Sequence, residues 1–144
     1  MATIPRLLVG WRAMVVDDEV DSLEVATRLL RLAGAEVITA ETGRDAITKL
    51  EKAKPHVIVA DLSMPDMDGW ELIHLLKRER RTLDIPVIAL TAHTMLGDRE
   101  RAMSAGFHNH ISKPLDPTKF VTQLVNLLID VPILAEITKK NQIS

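Results

Sequence analysis

The sequence predicts an α/β domain in which a five-stranded parallel sheet lies between two layers of helices. Short apolar segments of strand character alternate along the chain with segments in which apolar residues recur at helical spacing. One strand segment, "HVIVA", is apolar apart from its histidine, as in a strand that helices cover on both faces. Strands that alternate with helices of this length require right-handed crossovers and therefore a three-layer α/β/α arrangement.

Five strand-helix pairs account for most of the chain. The strands are predicted at "RAMVV", "AEVITA", "HVIVAD", "IPVIALTA" and "HNHIS". The helices are predicted within "EVDSLEVATRLLRLAG", "TGRDAITKLEKA", "DGWELIHLLKRER", "MLGDRERAMSAG" and "DPTKFVTQLVNLLID". Thr42 is expected to cap the second helix, and Gly34 and Gly106 to end the first and the fourth, because glycine readily adopts positive φ. The fourth helix, which includes Gly97, has the weakest apolar pattern.

One domain is expected at residues 12–129, with an N-terminal extension at 1–11 and a tail at 130–144. A chain of 144 residues, 47% hydrophobic and 26% charged, has the size and composition of one globular core. The tail carries four apolar residues, Val131, Ile133, Leu134 and Ile137. We expect a frayed terminus there, with packing of these side chains on the domain as the alternative.

Charge and composition exclude several classes of function. The net charge of −2 argues against a general nucleic-acid or membrane-surface binder. Cysteine is absent, which excludes a disulfide framework, a thiolate metal site and a cysteine nucleophile. No apolar run approaches the roughly 20 residues that cross a bilayer, and no signal peptide is recognisable. We therefore expect a soluble, cytoplasmic protein that neither binds nucleic acid nor inserts into a membrane.

Polar residues stand where the central strands end. Asp17 and Asp18 follow the first strand, Asp61 ends the third, Thr91 ends the fourth, and Lys113 follows the fifth. Ligands of open parallel sheets bind outside the carboxyl ends of the strands. These five side chains are therefore expected at one edge of the sheet.

Their chemistry suits a metal ion and a phosphoryl group. Three crowded carboxylates repel one another, and Mg²⁺ relieves this because it prefers a few carboxylate or carbonyl oxygens with water. Asp18 and Asp61 are the expected direct ligands, with Asp17 acting through water. An aspartate can also accept a phosphoryl group as a nucleophile. Thr91 and Lys113 would then neutralise the phosphoryl oxygens.

This set of residues resembles the receiver domain of two-component response regulators, including chemotaxis regulators. The resemblance rests on "VVDDE", "DLSMPDMDG", "LTA" and "SKP", in that order, and extends from about Arg12 to Ile129. The spacings of 30 residues from Asp61 to Thr91 and 22 from Thr91 to Lys113 also match. The resemblance implies a flavodoxin-like (βα)5 fold with strand order 2-1-3-4-5.

The resemblance implies a role in phosphorelay signal transduction. Asp61 would accept the phosphoryl group from a phosphohistidine of a sensor histidine kinase or histidine phosphotransfer protein. Asp17 and Asp18 would hold Mg²⁺, with Mn²⁺ as the alternative ion, together with Asp61 and the backbone carbonyl of Ser63. The domain would catalyse its own Mg²⁺-dependent phosphorylation and dephosphorylation, and no turnover of a separate substrate is expected.

The resemblance also implies a conformational switch. Thr91 and Lys113 would contact the acyl phosphate, with Lys113 preceding a cis peptide bond to proline. The altered surface, formed by the fourth helix, fifth strand and fifth helix, would bind a downstream effector or a second copy of the chain. His110 occupies the position where the family usually has an aromatic switch residue, which places the coupling in doubt. Ser63 and His93 would flank the path of attacking water and set the phosphoryl lifetime.

Other classes of protein remain as alternatives. A haloacid dehalogenase-type enzyme also forms an aspartyl phosphate, but it requires a second aspartate where Ser63 stands. A flavodoxin-like cofactor binder would need a glycine- or hydroxyl-rich phosphate cradle after the first strand, where this chain has "VDDEVD". The domain could also be the receiver of a hybrid histidine kinase or a phosphorylation-independent docking module, although the full set of site residues disfavours the docking module.

Overall fold

A computed structural model of the protein describes residues 6–92 and 98–143. The strands are β1 (Arg12–Val16), β2 (Glu36–Ala40), β3 (Val57–Asp61), β4 (Val87–Thr91) and β5 (Asn109–Ser112). The helices are α1 (Val20–Leu32), α2 (Gly43–Leu50), α3 (Gly69–Arg78), α4 (Asp98–Ala105), α5 (Phe120–Leu127) and α6 (Pro132–Ile143). All four strand pairs are parallel, and the order is β2-β1-β3-β4-β5. The predicted fold class and strand order are confirmed.

The core has two halves, one on each face of the sheet. Every residue of β3 and β4 is buried, as expected for central strands covered on both faces. Along β3, Val57 and Val59 join the cluster formed with α1, α5 and α6, whereas Ile58 and Ala60 join the cluster formed with α2, α3 and α4. This alternation follows from the twofold side-chain period of a strand.

Local sequence signals position the helices as predicted. The side chains of Thr42 and Asp68 each accept a 2.9 Å hydrogen bond from a backbone N–H in the first turn of α2 and α3. Gly34 and Gly106 adopt φ values of +103° and +114° just after α1 and α4. The start of α3 is thereby fixed close to the end of β3, beside the polar edge of the sheet.

The tail is helical, and the expectation of a frayed terminus is wrong. Leu134 in α6 is fully buried, and Ile137 packs on the same cluster as Leu8 and Trp11 from the N-terminal segment. The helix packs on apolar side chains that lie more than 100 positions earlier in the chain. A local sequence pattern could not indicate this packing. None of the described helices, α6 included, has the length and apolar character that a membrane span requires.

Candidate functional site

The carboxyl edge of the sheet brings together Asp17, Asp61 and Lys113. Asp17 follows β1 and is fully buried, Asp61 ends β3 and is 3% exposed, and Lys113 follows β5. The backbone N–H of Lys113 donates to the carbonyl of Thr91 at 2.7 Å, which continues the β4–β5 pairing past the strand ends. The peptide bond between Lys113 and Pro114 is cis, as the resemblance implies.

The ammonium group of Lys113 lies among three carboxylates. Its Nζ is 2.9 Å from Oδ2 of Asp17, 3.3 Å from Oε1 of Glu19 and 3.4 Å from Oδ2 of Asp61. Only 12% of the lysine side chain is exposed, so solvent screens these contacts weakly. One cation therefore faces three carboxylates, which leaves the site with an excess of negative charge.

Burial and charge shift the acidity of both central groups. Burial, and then the negative charge of Asp17, raises the pKa of Asp61 to about 6, against the opposing effects of Lys113 and of a 3.2 Å hydrogen bond from the Ser63 N–H. Burial would lower the pKa of Lys113, but contacts with Asp17, Asp61 and Glu19 outweigh it and raise that pKa. A pKa of about 6 leaves Asp61 mostly ionised at neutral pH, as a nucleophile requires, while Lys113 stays charged.

Glu19, which sequence reasoning missed, lies with Asp17 and Asp61 in the carboxylate cluster. Oδ1 of Asp17 accepts a 3.0 Å hydrogen bond from the backbone N–H of Glu19, so the chain turns around the Asp17 side chain. Asp18, between them, is exposed and lies outside the group formed by Asp17, Glu19 and Asp61. The available signal was the third acidic residue of "DDE", two positions after the buried aspartate.

The two buried carboxylates of this cluster, Asp17 and Asp61, fit a divalent cation. One oxygen from each of Asp17, Glu19 and Asp61 lies within 4.8 Å of the other two. Oδ2 of Asp17 is buried and, among the described residues, has no well-aligned hydrogen bond, although the Lys113 ammonium group is close. A buried, under-coordinated carboxylate oxygen beside the buried carboxylate of Asp61 suits a hard cation such as Mg²⁺.

Thr91 and His110 each have a buried polar side-chain atom without a hydrogen-bond partner among the described residues. The hydroxyl of Thr91, at the end of β4, is buried and has no hydrogen-bond partner among the described residues. His110 on β5 is half-buried, and its Nδ1 likewise lacks a partner there. His110 pairs in register with Ala89, two residues before Thr91. His93 lies outside the described residues.

The loop after β3 holds Ser63 and returns closely to the strand. Ser63 is exposed, and its backbone N–H donates the 3.2 Å hydrogen bond to Oδ1 of Asp61. The N–H of Gly69 donates to the carbonyl of Leu62 at 3.0 Å. A Cβ on Gly69 would lie 2.6 Å from the carbonyl oxygen of Asp61, so only glycine allows this approach.

Trp70 on α3 contacts both α4 and the segment between α4 and β5. The rings of Trp70 and Phe107 meet edge to face with centroids 5.7 Å apart. The guanidinium carbon of Arg101, on α4, lies 4.2 Å from the Trp70 ring centroid. Trp70 therefore covers the rim of the core and anchors α4, which forms part of the expected output surface.

Comparison with known proteins identifies the family. The model of the response regulator receiver domain matches residues 13–125. The chain belongs to this family. The resemblance seen in the motifs is confirmed, and the receiver assignment agrees with the observed sheet and with the acidic edge.

Individual relatives match most of the chain. An uncharacterised 14.6 kDa protein of Leptolyngbya boryana is 36% identical over 108 residues, covering 75% of this chain and 82% of that protein. The phosphate regulon transcriptional regulatory protein PhoB of Pseudomonas aeruginosa is 34% identical over 121 residues, covering 84% of this chain and 53% of that protein. This chain therefore spans about half of that regulator's length.

The chemotaxis response regulator CheY4 of Vibrio cholerae superposes with a TM-score of 0.77 at 29% identity, over 82% of this chain and 98% of that chain. The signal receiver domain of a histidine kinase from Syntrophus aciditrophicus superposes with a TM-score of 0.74 at 29% identity, over 84% and 92%. A chemotaxis regulator and the receiver domain of a histidine kinase therefore both resemble this chain in fold.

Proposed function

We propose that this receiver domain accepts a phosphoryl group on Asp61 from a phosphohistidine of a sensor histidine kinase or histidine phosphotransfer protein. The observation that carries the proposal is the buried, ionisable carboxylate of Asp61, 3.4 Å from the Lys113 ammonium group and in a cluster with Asp17 and Glu19. We propose the cytoplasm as the location of this phosphoryl transfer. The resulting charge switches the binding of a downstream protein.

The reaction is a displacement at phosphorus. A carboxylate oxygen of Asp61 forms the new O–P bond as the N–P bond to the donor histidine breaks, and the leaving imidazole nitrogen keeps the bonding electrons and takes a proton from water. Mg²⁺, with Mn²⁺ as the alternative, would be held by Asp17 and Asp61, with Asp18 and the Ser63 carbonyl as further proposed ligands, and would neutralise phosphoryl oxygens when bound.

Lys113 and Thr91 complete the neutralisation. Lys113 already lies beside the acceptor oxygen and stays charged, so it can donate to a phosphoryl oxygen with little movement. The Thr91 hydroxyl has an unused hydrogen to donate, since it has no partner among the described residues. A phosphoryl group on Asp61 supplies the acceptor that this buried hydroxyl lacks.

The switch follows from that new hydrogen bond. Movement of Thr91 opens space near His110, two residues further back on the neighbouring strand, and biases the surface of α4, β5 and α5. An effector, or a second copy of the chain, would bind there. Because histidine is smaller than the usual aromatic residue, we expect weaker coupling between phosphorylation and this surface. Ser63 and His93 would modulate the phosphoryl lifetime.

The test is phosphorylation by a small donor. Wild-type protein incubated with Mg²⁺ and acetyl phosphate should gain the mass of one phosphoryl group, whereas Asp61→Asn should not. Asp66→Asn is the matched control, because Asp66 is an exposed aspartate in the same loop. A gain that persists in Asp61→Asn would overturn the assignment of the acceptor. Absence of any gain in wild type would favour the docking-module alternative.

A further inference from the structure

The Glu19 side chain contacts Lys113 and does not cap its own helix. It occupies the N-cap position of α1, yet its side chain makes no capping hydrogen bond. Oε1 of Glu19 instead accepts a 3.3 Å hydrogen bond from Nζ of Lys113, 94 positions away. Glutamate is not among the favoured N-cap residues, and this carboxylate is directed toward the site.

Exposure distinguishes Glu19 from the other two carboxylates around Lys113. The side chains of Asp17 and Asp61 are 0% and 4% exposed, whereas that of Glu19 is 64% exposed. The buried pair lines the position that a divalent cation and a phosphoryl group would share. When Asp17 and Asp61 give their oxygens to those groups, Glu19 is the carboxylate that still faces the ammonium group.

Asp17 links the position of Glu19 to the site. One carboxylate oxygen of Asp17 accepts the backbone N–H of Glu19 at 3.0 Å, while the other lies 2.9 Å from Nζ of Lys113. The backbone of Glu19 is thus anchored to a buried site residue. Its side chain spans the mouth of the site to Lys113.

We propose that Glu19 is a positioning residue that holds the Lys113 ammonium group beside Asp61 during phosphoryl transfer and is not itself a metal ligand. This inference rests on the proposed function, because it requires Lys113 to act on the phosphoryl group. Glu19 acts through Lys113, so its effect must disappear when that lysine is removed. A metal ligand would act whether or not the lysine is present.

The experiment is a double-mutant cycle on wild type, Glu19→Gln, Lys113→Ala and the double variant. The rate of phosphorylation by acetyl phosphate at saturating Mg²⁺ is followed by intact-protein mass. The Kd of Mg²⁺ for the unphosphorylated proteins is measured separately by calorimetry. Glu24→Gln is the matched control, because Glu24 is an exposed α1 carboxylate that pairs with Arg28 away from the site.

We expect Glu19→Gln to slow phosphorylation about two- to fivefold in the wild-type background, as for a partly exposed ion pair. In the Lys113→Ala background the same change should have no measurable effect, since the pair is already broken. The Mg²⁺ Kd of Glu19→Gln should stay within about twofold of that of Glu24→Gln.

Two results would overturn the inference: equal slowing in both backgrounds, or a Mg²⁺ Kd raised about tenfold or more, as for a lost ligand. Either of them, obtained with a wild-type protein that is phosphorylated on Asp61, leaves the proposed function in place. A wild-type protein that is not phosphorylated at all overturns the proposed function and the inference together.

Discussion

The indole Nε1 of Trp11 donates a 3.1 Å hydrogen bond to Oγ1 of Thr138, although 127 positions separate the two residues. Both are buried, and Thr138 donates in turn to the carbonyl of Leu134 at 2.7 Å. Asn141 adds hydrogen bonds to the carbonyls of Leu7 and Val9 at 2.9 and 2.8 Å. The segments before residue 13 and after residue 125, which lie outside the family match, are thus joined to each other by hydrogen bonds. Both also pack on the core of the receiver domain.

Replacing Thr138 by valine should lower the free energy of unfolding by about 1–3 kcal/mol, because the buried indole N–H of Trp11 loses its acceptor while side-chain volume is kept. Chemical denaturation followed by circular dichroism measures the change. Thr122→Val is the control: its hydroxyl donates to an exposed carbonyl, so the change should stay within about 0.5 kcal/mol. Equal effects of the two variants would show that the contact with Trp11 contributes nothing.

Replacing Gly69 by alanine should distort the loop that carries the acceptor and destabilise the protein by about 2 kcal/mol or more. The new Cβ would lie 2.6 Å from the backbone oxygen of Asp61, which cannot move aside. Gly43→Ala is the matched control, since its Cβ would meet the flexible side chain of Met67. Thermal and denaturant unfolding should rank Gly69→Ala as clearly the less stable. The reverse order would contradict this account of the loop.

Asp61→Asn should stabilise the metal-free protein increasingly as the pH rises. Burial raises the pKa of Asp61 from 3.8 to about 6 in the folded protein. The stability that the protonated carboxyl contributes is therefore fully present below the unfolded-state pKa of 3.8, and it is lost as the pH rises through about 6. The advantage of the asparagine variant should therefore grow between about pH 4 and about pH 7, by up to about 3 kcal/mol.

Denaturation in the presence of a chelator, repeated across that pH range, checks this prediction. The matched control is Asp21→Asn, which removes the charge of an exposed aspartate in the first turn of α1. An advantage of Asp61→Asn that is constant or shrinks with rising pH would show that the carboxyl is not held above its ordinary pKa.

Thr91→Val should raise the stability of the unphosphorylated protein by about 1 kcal/mol, because it replaces a buried hydroxyl without a partner among the described residues by a methyl group. Thr82→Val provides the contrast, since the Thr82 hydroxyl donates to the Leu76 carbonyl at 2.6 Å and its loss should be destabilising. Denaturant midpoints measure both. If both variants lose stability equally, the Thr91 hydroxyl has a partner that the described residues do not include.

Local patterns in the sequence were sufficient for the sheet and for most of the site. Alternating strand and helix segments predicted the three layers, and capping by Thr42 and the ending of α1 at Gly34 appear as expected. Asp17, Asp61 and Lys113 were predictable because the carboxyl ends of parallel strands meet at one edge of the sheet.

The tertiary structure decided which carboxylate joins that cluster and where the core ends. The turn at Asp17 places Glu19 in the cluster and leaves Asp18 exposed, a choice set by side-chain direction and not by residue type. Helix α6 is stabilised by Trp11 and other distant residues, so the tail alone could not indicate it. Residue type and spacing therefore determine which elements form and which chemistry is present, whereas side-chain direction and long-range packing determine which groups touch.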